Sequence, residues 1–432
     1  SVALVPPSSP TKISRALSFP SCEPLDKGGL AVSPPRRSHR VQRSSSSLSL
    51  SREAKRQVQA AEETQTAPAV ASVEEATKRY TEAASIRHLL EDGTVILLRG
   101  SWLVEHAKTE GARLPCRSEV PPHAMWKPEE LTVGDQLRAG HEIVAISHCW
   151  PSPDHADPDG QKLLAIGACI NAWAGSRPGM LPNRVAVFMD WFSLEAFPLG
   201  EPLDPENSEP FSAERRAQSV YSSELWYAHR ATHVWLLTHV PADSTPFHQH
   251  AWPFFEEAAA AVFSPQSNTL DLGPLQRSPG ALRGVEALRC CATKRRPPMA
   301  PKALARALKS RSFSVDGAAS EELLASCYEQ AFSAAADAVE RLDFRGLGWG
   351  DAEASLLAEA LPSFARLREL DLFDNQIGDF GAAELAEAVP HCKLLQRLCL
   401  DENEIELGLE GPERLREAWQ LAQKDPRGLW LS

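Results

Sequence analysis

The sequence lacks long apolar runs and paired cysteine motifs. Its longest apolar candidates, residues 94–98 and 185–192, are strand-sized and far below the roughly 20 residues of a membrane-spanning helix. The nine cysteines are scattered, and no two have CxxC spacing, which argues against a disulfide framework or a zinc module. We therefore expect a cytoplasmic protein with no membrane span and no metal site. Because the chain begins at Ser1, the sequence leaves open whether a targeting segment precedes it.

Charge is distributed unevenly along the chain. The net charge is −12, and residues 1–65 are rich in serine, proline and arginine without any apolar period. Such a composition predicts a disordered tail. The basic residues of this segment are Arg36, Arg37, Arg40, Arg43, Arg52, Lys55 and Arg56. The remainder is therefore more acidic than the whole, which argues against nucleic acid as its partner.

The middle of the chain alternates apolar strand-like and helix-like segments. Residues 143–146 form a continuous apolar block, as expected for a parallel strand covered on both faces. Alternating strands and helices predict a mostly parallel sheet with flanking helices. The expected strands are 94–98, 141–150, 184–190, 232–238 and, less regularly, 284–290; the expected helices are 72–90, 101–107 with Ser101 as its cap, 161–173, 212–230, 253–262, 302–309 and 321–338.

Polar and aromatic side chains follow the predicted strands. Ser147, His148 and Trp150 end one strand, and Asp190 and Trp191 end the next. Ligands of open α/β sheets bind at the carboxyl ends of the strands, so we expect these residues to line a ligand pocket. Trp252 is the third tryptophan that would stack on a planar ligand. Core packing for the tryptophans and a turn-forming role for Asp190 remain open alternatives.

The C-terminal part repeats every 28 residues, as Leu342, Leu370 and Leu398 illustrate. The pattern matches the leucine-rich repeat template and resembles its ribonuclease-inhibitor class. Asn375 and Asn403 would satisfy backbone groups in successive turns, and residues 429–431 would form a further strand. The side chains expected to face a protein partner on the concave surface are Arg341, Asp343, Arg345, Glu369, Asp371, Phe373, Arg397, Cys399 and Asp401.

These patterns divide the chain into five parts. They are a tail (1–65), an accessory α/β layer (72–139), an α/β domain (140–300), connecting helices (301–338) and about three repeats (339–432).

Four blocks of the α/β domain resemble heterokaryon-incompatibility (HET) domains, which are similar in fold to TIR domains. The blocks are Ile146-Ser147-His148-Cys149-Trp150, Phe188-Met189-Asp190-Trp191-Phe192-Ser193-Leu194, Val234-Trp235-Leu236-Leu237-Thr238 and Ala251-Trp252-Pro253-Phe254-Phe255-Glu256. The last block has Glu four residues after Trp, as does the TIR block whose glutamate acts on NAD. The resemblance therefore implies Glu256 as the catalytic residue and NAD as the candidate substrate.

Three functional hypotheses follow. The first is an intracellular signalling or recognition protein that couples a HET/TIR-like domain to a leucine-rich repeat module binding a protein partner. The second is an NAD or nucleotide glycohydrolase that uses Glu256, a residue that would otherwise be a favourable acid at a helix start. The third is a catalytically inactive module that assembles with its own kind. The expected fold is an α/β fold, a TIR/HET-like sheet followed by a short α/β leucine-rich repeat solenoid.

Overall fold

The computed structural model describes residues 73–150, 155–194, 223–263, 269–311 and 321–431. The predicted tail (1–65) and the first part of the predicted helix 212–230 lie outside the described residues. Residues 68–432 form one compact unit. Within the described ranges, no helix is long and apolar enough to cross a membrane.

The N-terminal part differs from the sequence prediction in three places. The single helix expected at 72–90 is two helices, Val73–Thr81 and Ala83–Glu91, because Glu82 between them has extended dihedrals. The next helix is Gly100–His106 with Arg99 as its cap, so the prediction that Ser101 caps it is wrong. Strand β1 is only Leu98–Arg99.

The central sheet has five strands in the order β1-β5-β4-β6-β7. Strand β4 is parallel to β5 and β6, β6 is parallel to β7, and β1 runs antiparallel to β5. Part of the predicted accessory layer thus supplies an edge strand. The remaining bounds are β4 Glu142–His148, β5 Val185–Phe188, β6 Thr232–Leu237 and β7 Leu270–Asp271, while Thr132–Val133 (β2) and Gln136–Leu137 (β3) form a separate hairpin.

Residues 143–146 of β4 are all apolar because both faces of the sheet are covered. Ile143 and Ala145 belong to the core on one face, and Val144 and Ile146 belong to the core on the other, as the two-residue period of a strand requires.

The helices of this part and of the connecting region are Pro128–Leu131, Gln161–Gly175, Asp190–Ser193, Ala251–Phe263, Gly273–Arg277, Gly284–Cys291, Pro301–Leu308 and Glu321–Ala338, and residues 223–228 are also helical.

The strand predicted at 284–290 is wrong, because Gly284–Cys291 is a helix. Ala287 and Cys291 are its buried residues, and Val285 is 58% exposed. A spacing of four between buried positions is that of a helix face. The short apolar run is thus compatible with the two-residue period of a strand and with the 3.6-residue period of a helix, and packing decides between the two structures.

The C-terminal part is a parallel sheet of four short strands in the order β11-β10-β9-β8. Leu342, Leu370, Leu398 and Leu429 pair in register across it, and the strand expected at 429–431 is present as β11. The bounds are β8 Arg341–Asp343, β9 Glu369–Asp371, β10 Arg397–Cys399 and β11 Leu429–Trp430, with helices Asp351–Ala360, Asp379–Ala388 and Glu410–Leu421 between them.

A single apolar core joins this C-terminal sheet to the α/β part. It runs from helix Ala251–Phe263 through helix Glu321–Ala338 to the leucines of the C-terminal strands. Arg295 reinforces the junction: its guanidinium donates to Ala261 O (3.1 Å), and its carbonyl accepts from Trp349 Nε1 (2.7 Å). The fold is therefore a mixed α/β structure in which helices Ala251–Phe263 and Glu321–Ala338 connect the cores of two parallel-rich sheets.

Candidate functional site

The carboxyl ends of β4 and β5 bring His148 and Asp190 together. The strands are parallel neighbours, so residues that follow them meet at one edge of the sheet. His148 Nε2 lies 2.6 Å from Asp190 Oδ1, and Trp150 Nε1 donates to Asp190 Oδ2 at 3.3 Å. His148 is buried, whereas the Asp190 side chain is 15% exposed.

Lys162 is part of this cluster, although the sequence reasoning missed it. Its Nζ donates to Cys149 O (2.5 Å) and lies 3.1 Å from His148 Nδ1. Burial lowers the pKa of this lysine to about 8. The sequence does hold a signal, because Lys162 falls on the buried stripe of helix Gln161–Gly175 with Ile166 and Cys169.

Asp157 sets the start of that helix. Its carboxylate accepts hydrogen bonds from the backbone N–H groups of Lys162 (2.9 Å) and Leu163 (3.1 Å). It also accepts from Leu114 N at 3.3 Å. An acid that accepts from the first free N–H groups of a helix fixes the position at which the helix begins. Here it holds the backbone of Lys162 where the side chain reaches the end of β4.

Glu256 lies inside the protein and not at an exposed helix start. It sits in the second turn of helix Ala251–Phe263 and is only 4% exposed, so the interpretation as a solvated acid is wrong. Burial, followed by the negative charge of Asp190, raises its pKa to about 8, against the opposing influence of the Ser147 and Tyr227 hydroxyls. Among the described residues, Glu256 Oε2 and Ser147 Oγ have no hydrogen-bond partner.

Tyr227 is a second member that the sequence did not reveal. Its hydroxyl donates to Ile146 O at 3.1 Å. Tyr227 therefore lies beside the residue that precedes Ser147 in β4. Its ring packs edge to face against the ring of Phe188 in β5. No local pattern distinguishes this tyrosine, because its role depends on how residues 223–228 pack against the sheet.

The two carboxyl groups of the site have opposite pKa shifts. Burial alone would raise the pKa of Asp190, but its contact with His148 and the hydrogen bonds from Trp150 and Trp191 N lower it. At neutral pH Asp190 is therefore ionised while Glu256 is largely protonated. Pairs of titratable groups whose pKa values are pushed apart are typical of acid and base partners.

The tryptophans separate into two groups. Trp150 and Trp191 meet edge to face with ring centroids 5.2 Å apart, and His155 lies 5.0 Å from Trp191. Trp252 instead stacks on Phe255 (5.7 Å) and packs against the core shared with the C-terminal sheet. The structure thus gathers Trp150 and Trp191 with Asp190 and places Trp252 in a different aromatic cluster.

The Cys149 side chain, next to His148, is buried. Burial raises the pKa of the Cys149 thiol to about 12, so it is protonated at neutral pH and is a poor nucleophile. The described residues contain no group of three or more His, Cys, Asp or Glu side chains placed to hold a metal ion.

The outward side chains of β8 to β10 form ion pairs across the strands. Glu369 pairs with Arg341 (2.6 Å) on one side and with Arg397 on the other. Arg345 pairs with Asp343 (2.7 Å) and reaches Asp371 (3.4 Å). Beside them lie Phe373, 38% exposed, and the half-buried Cys399 and Asp401. The surface is charged, mixed in sign and largely self-neutralised.

Comparison with known protein families, with curated proteins and with solved structures finds no match to this chain.

Proposed function

We propose that this chain is a cytoplasmic recognition protein, in which a HET/TIR-like α/β unit is coupled to a leucine-rich repeat module that binds a protein partner. The observation that carries the proposal is the ladder of outward side chains on β8 to β10, with Phe373 exposed among paired charges. Mixed charge around an exposed aromatic side chain is the composition of a protein-binding surface. The free thiols of all eight described cysteines support a reducing compartment.

The common core supports a coupling between the two parts. Helix Ala251–Phe263 contributes Phe254 and Phe255 to the core of the C-terminal sheet and also carries Glu256. A partner bound on β8 to β10 would therefore contact strands whose core includes side chains of helix Ala251–Phe263, the helix that carries Glu256. Packed side chains of this kind are one route by which coupling passes between a recognition surface and an effector unit.

Affinity capture with the full chain tests the recognition proposal. The paired reversal Asp371→Lys and Arg397→Glu keeps the net charge and places each new charge beside a like charge, Arg345 and Glu369 respectively. The matched control is Glu387→Lys with Arg414→Glu, which inverts an exposed ion pair on the outer helices. We expect the first variant alone to lose a specifically captured protein. Equal capture by both variants would contradict the proposal.

A second candidate function is hydrolysis of the glycosidic bond of NAD or a related nucleotide. The observation that favours it is the opposite ionisation of Asp190 and Glu256 at one sheet edge. Cleavage breaks the bond between the anomeric carbon and the nicotinamide nitrogen, and nicotinamide departs with the bonding electrons. A nearby carboxylate stabilises the oxocarbenium-like sugar, and water then adds to the anomeric carbon while its proton passes to a base.

Nicotinamide release from NAD tests the second candidate. The unmodified 432-residue chain is compared with Glu256→Ala and with Glu257→Ala, a matched control whose carboxylate pairs with Arg296 (2.8 Å). If the Glu256 carboxylate is the working form, turnover should rise as the pH approaches about 8 and should vanish only in Glu256→Ala. Absence of turnover under crowding would leave a binding or self-assembly module, and concentration-dependent association would then identify a homo-oligomer.

A further inference from the structure

The end of β4 holds a continuous chain of polar contacts from Lys162 to Trp150. Lys162 Nζ lies 3.1 Å from His148 Nδ1, His148 Nε2 lies 2.6 Å from Asp190 Oδ1, and Trp150 Nε1 donates to Asp190 Oδ2. The lysine and the histidine are both buried. Each contact has one donor and one acceptor, so the protonation state of one end constrains the next.

The contact between Lys162 and His148 decides which histidine nitrogen carries the proton. An ammonium group has three donors and no acceptor. At 3.1 Å one of the two nitrogens must accept, and a charged lysine leaves that role to His148 Nδ1. A proton on Nδ1 would point two donors at each other and place a second positive charge beside the ammonium group.

We propose that Lys162 is a positioning residue that directs the ring proton of His148 to Nε2 and thereby makes His148 a fixed donor to Asp190. The attraction of Asp157, Asp190 and Asp159 helps to keep the lysine charged. Cys149 O accepts a second ammonium hydrogen at 2.5 Å and fixes the direction of the side chain. This inference goes beyond both proposed functions, because it concerns the state of the site whether or not a substrate is turned over.

The arrangement also specifies what Asp190 offers to a ligand. An ionised carboxylate has about four acceptor positions. Asp190 Oδ1 accepts from His148 and from Trp191 N (2.6 Å), and Oδ2 accepts from Trp150. Within the described residues one position on Oδ2 is left, on a side chain that is 15% exposed. The site thus suits a ligand group with an N–H or O–H donor and disfavours a phosphate.

Nitrogen NMR of the full chain, with histidine rings labelled with ¹⁵N, reads the tautomer directly. His148→Asn assigns the resonances. At about pH 7 we expect the wild-type protein to show an unprotonated Nδ1 and a protonated Nε2. A protonated Nδ1 in the wild-type protein would overturn the proposal without any further variant.

Two substitutions separate positioning from packing. Lys162→Met keeps the length of the side chain and removes its donors, so Nδ1 should gain a proton and donate to Cys149 O, which lies 3.2 Å away. Lys162→Gln restores a neutral donor and should return the wild-type pattern. Lys108→Met, at an exposed lysine paired with Glu105, is the control. An unchanged tautomer in a folded Lys162→Met protein would overturn the proposal. Because the readout does not depend on turnover, its result is independent of the hydrolysis test.

Discussion

Replacement of Asn375 by alanine tests the hydrogen-bond network of the C-terminal sheet. The Asn375 side chain is 6% exposed. Its Oδ1 accepts from Leu347 N (3.1 Å) and Trp349 N (3.0 Å), and its Nδ2 donates to Phe344 O and Leu372 O (both 2.9 Å). The substitution leaves two backbone donors and at least one carbonyl buried without this partner.

The size of the loss follows from those groups. A buried donor left unsatisfied costs about 1–3 kcal/mol, so two donors predict a loss of about 2–6 kcal/mol in the free energy of unfolding. Asn403 is the matched control: its Oδ1 accepts from one backbone group, Ile377 N (3.0 Å), and the residue is half-buried. Asn403→Ala should cost about 1–2 kcal/mol, because a single donor is orphaned and water can reach it.

Equilibrium unfolding in guanidinium chloride, followed by circular dichroism, gives both values. The midpoints convert to free energies if the transition slopes of the variants agree with the wild-type slope. A cost for Asn403→Ala equal to or above that of Asn375→Ala would refute the reasoning, since buried unsatisfied groups would then not dominate the energetics of this sheet.

Three further predictions concern the pH dependence of stability, through Glu256 and through Lys162, and the close approach of glycine backbones. The pKa of Glu256 rises from 4.5 to about 8 on folding, so the native state holds an extra proton between these values. Stability should therefore fall by up to about 1.4 kcal/mol per pH unit across that window, and comparison of wild-type and Glu256→Gln melting curves should show this slope only in the wild type. Burial lowers the pKa of Lys162 from 10.5 to about 8, so its contribution to the free energy of unfolding rises with pH between about 8 and 10.5. Lys162→Met should remove this rise and leave the fall at lower pH unchanged. A Cβ at Gly411 would lie 2.0 Å from Asp379 O, whereas one at Gly175 meets nothing within 4 Å. Calorimetry should show Gly411→Ala destabilised by about 1–3 kcal/mol and Gly175→Ala stabilised by about 0.5–1 kcal/mol. The reverse order would contradict the packing described.

Local patterns in the sequence sufficed for the strands and helices whose periods are unambiguous. The apolar run before Ser147 predicted β4, and the leucines at intervals of 28 residues predicted strands that pair in register. The parallel alternation then implied that His148 and Asp190 meet at one edge, because parallel strands share their carboxyl end. The helix at 284–291 was missed because a short apolar run fits both periods.

The composition of the site depended on contacts between distant segments. Tyr227 has no local signature, and Lys162 had only its position on an apolar helix face as a signal. The alternative interpretation of the candidate catalytic residue Glu256, an acid at a helix start, was wrong because sequence does not show what covers a residue. Its burial comes from a helix packed between the sheet and the core of the C-terminal strands.

What the sequence alone determined is therefore the order of the elements, the parallel pairing and the sheet edge at which polar residues gather, since these depend on periodicity and connection. The tertiary structure decided which side chains are buried there, which carboxyl group is ionised and which charges neutralise one another. These properties depend on desolvation and on distances between segments far apart in the chain, and no local pattern encodes either quantity.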